Sequence, residues 1–121
     1  MAKAPYDIVE KSQNLSFLIK KWPLHLFNTS IAMELDSSAS TIASNSELIS
    51  LSSGIDNGFE IDQSILACSR IKSQILIFKE FGIGLEGFDE ALEAISIVMN
   101  FLAVRKQDIK SVLDDEGVLN E

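Results

Sequence analysis

Three groups of residues in this chain have types and spacing that could do chemistry. Gly82-Ile83-Gly84-Leu85-Glu86-Gly87 has the spacing G-x-G-x-x-G. In a dinucleotide-binding unit such glycines let the backbone close on a pyrophosphate at a helix N-terminus. Here Lys79, Glu80 and Phe81 separate the preceding apolar run at 75–78 from the first glycine, and Glu86 places a carboxylate where phosphates would sit. Only 34 residues follow Gly87, too few to complete a nucleotide-binding sheet after it. The glycines are expected to make a turn between two helices.

Asp56-Asn57-Gly58-Phe59-Glu60-Ile61-Asp62 has the look of a calcium loop. With Gly58 at the sixth loop position, Ser53, Ile55 and Ser64 fall where an EF-hand needs oxygen ligands at positions one, three and twelve. The ion would lack carboxylates, so the segment reads as an ordinary turn. The third group is His25 with Cys68, each the only residue of its type. A thiol and an imidazole can form a nucleophile–base pair when the fold brings them together. No local catalytic signature surrounds either. Cys68 lies on an apolar row, where a thiol serves as a small hydrophobe. A single cysteine also rules out an intramolecular disulfide and a Cys-rich zinc site. The expectation is therefore no catalytic residue, no cofactor and no metal.

The elements around these residues are easier to read. Phe88, Leu92, Ile95, Met99 and Leu102 recur at spacings of four and three, and Ile109 and Leu113 resume the row beyond Lys106. A second row is Ile61, Ile65, Cys68, Ile71, Ile75 and Phe78. Both are apolar stripes of helical period, joined by the glycine-rich turn into a helical hairpin. Gly82 is placed to end the first helix in a left-handed conformation. Glu86, Asp89 and Glu90 suit the first turn of the second, which is expected to run from about 86 to about 113, where three acidic residues oppose the helix dipole.

Upstream, 6–21 reads as a first helix with Lys20 and Lys21 near its carbonyl end. Pro23 marks a break or bend. Residues 24–53 have two readings. Leu24, Phe27, Ile31, Leu35, Ile42 and Ile49 share one helical face, with Pro23 in the first turn. Alternation of Leu24 and Leu26 about His25, and of Ile31, Met33 and Leu35, suits short strands instead. The helical spacing persists longer and is preferred. The serine-dense stretch 36–45 is a possible loop dividing two shorter helices, because serine competes for backbone hydrogen bonds.

The expected fold is thus all-α: one domain over 1–121, a four-helix bundle ending in a helical hairpin, with frayed tails at 1–5 and 117–121. The alternative is α+β with short strands in 24–53. Hydrophobic residues make up 46% of the 121 residues, enough for a core. The net charge of −8 is uneven, and 22–69 contains no Lys or Arg. Nucleic-acid binding needs cations facing phosphates, and an anionic membrane surface needs them too; neither partner is expected. The N-terminal residues do not form a signal peptide, no stretch approaches the ~18 apolar residues of a membrane span, and a cytoplasmic location is expected.

Two apolar clusters suggest protein contacts. Trp22, Leu26 and Phe27 crowd the Pro23 bend, and Ile97, Phe101 and Val104 lie off the main stripe of the last helix. A helix apolar over more than half its circumference is central to a bundle or half of an interface. The function expected is a non-catalytic acidic helical interaction module, an adaptor or regulator pairing with itself or with another protein. A dedicated chaperone or assembly factor, of the secretion or phage-assembly type, is one alternative. A small enzyme or ligand-binding protein using polar groups in the bundle interior, with His25, Lys72 and Asn100 as candidates, is another.

Overall fold

A computed structural model describes residues 4–23, 27–51 and 58–120, with side chains described at 8–23, 27–49 and 58–108. Four helices follow one another: α1 (Ala4–Lys21), α2 (Thr29–Leu51), α3 (Gly58–Glu80) and α4 (Phe88–Asn120). Each packs on its chain neighbours, and α4 closes the ring against α1. Side-chain pairs show that neighbours run in opposite directions. Lys79 meets Asp89 at 2.9 Å and Lys106 meets Asp62 at 2.8 Å, so moving back along α3 moves forward along α4. The domain is an up-and-down four-helix bundle.

The bundle forms because all four helices carry the same spacing on their inner faces. On α3 the buried row is Ile61, Ser64, Cys68, Ile71, Ile75 and Phe78, at steps of three and four. The same steps run through Ile8, Ser12, Leu15, Ile19 and Trp22 on α1, Leu35, Ala39, Ile42, Ser46 and Ile49 on α2, and Phe88, Ala91, Ile95, Val98 and Leu102 on α4. A repeat of three and four residues keeps one seam facing the bundle axis when helices wind gently about each other to the left. Large residues alternate with Ala, Ser and Cys along the seam, which lets the helices approach closely. Each fully buried Ile or Leu contributes about 1.5–3 kcal/mol.

The ends of the elements follow from local chemistry. Trp22 N–H donates to the Ile19 carbonyl at 3.1 Å as α1 stops, and Pro23 follows. Asn28 caps α2: its Oδ1 accepts from Ser30 N–H at 2.7 Å and its carbonyl accepts from Ala32 N–H at 3.0 Å. At the other end of α2, Arg105 reaches from α4 and donates through Nη2 to the Ile49 carbonyl at 3.0 Å. α2 has no basic residue in its own last turn, so Arg105 supplies the cation that suits the negative end of the dipole. α3 ends in a Schellman motif. Ile83 N–H bonds the Phe78 carbonyl at 2.8 Å, Gly82 N–H bonds the Lys79 carbonyl at 3.0 Å, and Gly82 has φ 77°.

The structure corrects several boundaries. α2 is continuous through the serine-rich stretch, so neither a dividing loop at 36–45 nor strands within 29–51 form. Ser38, Ala39 and Ser46 are buried there, and the Ser46 hydroxyl donates to the Ala43 carbonyl at 2.8 Å. Ser46 satisfies its hydroxyl on its own helix, and the small buried residues make room for the neighbour. Pro23 is not in the first turn of α2, because Asn28 provides a stronger start five residues later. Leu24, His25 and Leu26 lie outside the described residues, as do 52–57. α4 begins at Phe88 rather than near Glu86, and it continues through Asp114, Asp115 and Glu116 to Asn120. Unfavourable charge near a helix end is worth only about 0.3–1 kcal/mol, too little to stop a helix by itself. α1 likewise starts at Ala4, within the stretch expected to fray.

Two substitutions test this account by urea denaturation. Gly87 has φ 87°, and a Cβ there would meet Leu18 Cδ2 at 3.0 Å, whereas a Cβ on Gly84 meets nothing within 4 Å. Gly87→Ala is expected to lose about 1–3 kcal/mol, and Gly84→Ala to change little. The Ser64 hydroxyl is buried on the seam with no hydrogen-bond partner among the described residues. Ser64→Ala is expected to raise stability by about 1 kcal/mol, through a removed unsatisfied group and a better helix former.

Candidate protein interface

The first cluster singled out in the sequence closes one end of the bundle. Trp22 is only 5% exposed. Its Nε1–H donates to the Glu86 carbonyl at 2.9 Å, tying the end of α1 to the α3–α4 turn. Its ring meets Phe88 edge to face with centroids 5.1 Å apart. Phe27 stacks on Phe78 at 4.7 Å, and Phe78 lies parallel to Phe88 at 6.1 Å. Such aromatic pairs contribute about 0.5–1.5 kcal/mol each beyond their buried area. Trp22 thus belongs to the core, Phe27 is half-buried against it, and Leu26 lies outside the described residues.

The second cluster lies on the outer side of α4. Ile97 and Phe101 are half-buried, and Val104 is 62% exposed. Phe101 and Val104 line a shallow groove of about 330 Å³ with Asn100, Arg105 and Asp108. The Arg105 guanidinium stands 5.9 Å from the Phe101 ring centroid, in range for a cation–π contact. Two of the three α4 residues therefore meet in one concave, mainly apolar surface.

A second apolar surface lies outside the stripes that the sequence marks most strongly. Phe59, Leu66 and Ile77 on α3 are exposed, with Phe59 at 68% and Leu66 at 51%. Met33 and Leu48 are exposed on α2, the helix packed against α3. The signal was present: α3 carries these three residues two positions away from seam residues, which at 3.6 residues per turn puts them across the helix from the core. A row read only for its strongest stripe hides a second stripe behind it.

The chemistry-bearing groups are placed as follows. Gly82 and Gly87 have left-handed conformations and serve the turn, and the element before them is helix rather than strand. Asp62, on the calcium-like segment, pairs with Lys106; Asp56 and Asn57 lie outside the described residues. Among the described residues no three His, Cys, Asp or Glu side chains converge on a point. Lys72 and Asn100, expected as interior polar groups for a ligand site, are on the surface instead. A cleft of about 370 Å³ under the α3–α4 turn is lined by Trp22, Gly87 and Leu18, with Lys21, Glu86 and Glu90 on its walls. No helix among the described residues is long and apolar enough to cross a membrane.

Cys68 is fully buried on the seam, and burial pushes its thiol up from 9.0 to about 12. It stays protonated at neutral pH and is a poor nucleophile there. The unfolded chain ionises first as pH rises, so this thiol's contribution to stability is whole below about pH 9 and falls away toward pH 12. Cys68→Ala, compared with the parent chain by denaturation at pH 8 and pH 11, is expected to show a smaller deficit at the higher pH. Native Cys68 is expected to react with a disulfide reagent at pH 8 at least 100-fold more slowly than in urea. No protein-family profile, characterised protein or solved structure matches this chain.

Proposed function

We propose that the chain is a non-catalytic, acidic helical module for protein–protein association, which pairs with itself and acts as an adaptor or regulator. One observation carries the reading. Large apolar side chains, Phe17, Met33, Phe59, Leu66, Phe81 and Val104 among them, are each more than half exposed on a single copy. Single exposed apolar residues are ordinary, but contiguous groups of them mark interaction surfaces. The core does not need them, since its seam is complete on all four helices.

The charge pattern supports the same class of partner. A chain of net charge −8 repels phosphates, so nucleic acid and anionic membrane are disfavoured. The same charge keeps the chain soluble in spite of its apolar surface and limits association to faces where charge is sparse. No cofactor enters this reading, and a cytoplasmic setting fits the single buried thiol.

Light scattering on the purified chain across a dilution series tests the proposal. A discrete dimer or higher oligomer that dissociates only on strong dilution is the expected result. A monomer at every concentration, down to the micromolar range and up to the millimolar range, would overturn self-pairing.

A further inference from the structure

We infer that the occupant of the exposed α2–α3 face is a second copy of this chain, docked about a two-fold axis with the two α3 helices antiparallel. The inference rests on the self-association proposed above and specifies its geometry. The outer row of α3 reads Phe59, Gln63, Leu66, Arg70, Ser73 and Ile77, and all six are exposed. Their spacing is symmetric about position 68. In an antiparallel pair centred there, Phe59 faces Ile77, Gln63 faces Ser73, and Leu66 faces the aliphatic stem of Arg70. Large apolar residues meet at both ends, two polar groups able to hydrogen-bond meet between, and no like charges oppose each other. An isologous interface requires this kind of self-matching of one surface.

Charge selects a second copy over other partners. Arg70 is the one charged residue in the row, and its Nε lies 3.7 Å from Glu34 of the neighbouring helix. On α2, Glu34 is matched by Arg70, and the positions farther out on that face, Met33, Ser37, Thr41, Ser44 and Leu48, are uncharged. Two copies of charge −8 repel wherever their acidic surfaces meet, so they can approach closely only through a neutral face. A basic partner would instead be drawn to the acidic surface and gain nothing here.

The area is adequate. The α2–α3 register is set by Arg70 beside Glu34, and by Asn45 Nδ2 donating to the Glu60 carbonyl at 3.3 Å and to Gln63 Oε1 at 3.4 Å. This brings Leu48 level with Phe59, and Met33 toward the Ile77 end. Met33, Leu48, Phe59, Leu66 and Ile77 together expose on the order of 500 Å² of apolar surface, against ~800 Å² per partner in a standard interface. The small polar residues between them supply the rest and leave room for close helix contact.

The test combines light scattering with cross-linking on the full chain. Leu66→Glu is expected to halve the molar mass while the circular-dichroism spectrum stays helical, because Leu66 is outside the core. Val104→Glu, on the α4 groove, is expected to leave the mass unchanged. A chain carrying both Gln63→Cys and Ser73→Cys is expected to give a reducible covalent dimer under mild oxidant, and neither single variant is, since like positions are far apart across the axis. An oligomer that survives Leu66→Glu, or that cross-links as well through one introduced cysteine as through two, would overturn this geometry and leave self-association standing. A monomeric parent chain would overturn both.

Discussion

Everything in this bundle depends on one constraint, the alternation of three- and four-residue steps on the inner face of every helix. Four sequences with unlike compositions obey it, from the charged α1 to the serine-rich α2. A shift by one residue on any helix would turn a charged or exposed position toward the axis. Register is therefore specified by the seam, and the turns only have to be compatible with it. The small residues on the seam matter as much as the large ones. Ala39, Ser46, Ser64, Cys68 and Ala91 set how near the helices come, and the isoleucines and leucines fill what remains.

The two ends of the bundle are held by different physics. At one end, the Trp22 indole reaches the Glu86 carbonyl, and a run of aromatic contacts links Trp22, Phe88, Phe78 and Phe27. Residues from both hairpins share it, so it joins the α1–α2 connection to the α3–α4 turn. At the other end, the Arg105 guanidinium donates through Nη2–H to the Ile49 carbonyl of α2, where that helix has no cation of its own. The surface pairs Lys79–Asp89 and Lys106–Asp62 follow the register and add little, since exposed ion pairs contribute about 0–1 kcal/mol.

Much of the fold was legible because period outweighs propensity. The rows on α3 and α4 named the hairpin, and Gly82 named its stop. The serine content of α2 argued for a loop, yet Leu35, Ile42 and Ile49 kept helical step through it, and the structure follows the step. α2 starts at Thr29 rather than at Pro23 because Asn28, with a side-chain acceptor for Ser30 N–H, is the better cap. α4 runs past the three carboxylates at 114–116 because their electrostatic cost is small beside the hydrogen bonds that continue the helix. The candidate interface was half legible. Phe101 and Val104 stood out by falling off the α4 stripe. Phe59, Leu66 and Ile77 did not, because α3 is apolar on two opposite sides and the stronger side masks the weaker.

That second side is hard to explain by the fold alone. Exposed Phe, Leu and Ile add nothing to the seam, and they raise the hazard of indiscriminate association. The seam itself is not rich. It carries serines at core positions, two of them, Ser12 and Ser64, with hydroxyls lacking a partner among the described residues, and each unsatisfied buried group costs about 1–3 kcal/mol. A single copy therefore combines a core lightened by polar and small residues with an outer face left apolar. Association that covers that face adds stability by mass action, because the bound state is folded and the unfolded state does not bind. On this argument the two departures from an ideal bundle are one feature. In the proposed dimer, the stability the seam gives up to serine and alanine would be offset by burial of the separate apolar row on the α2–α3 surface.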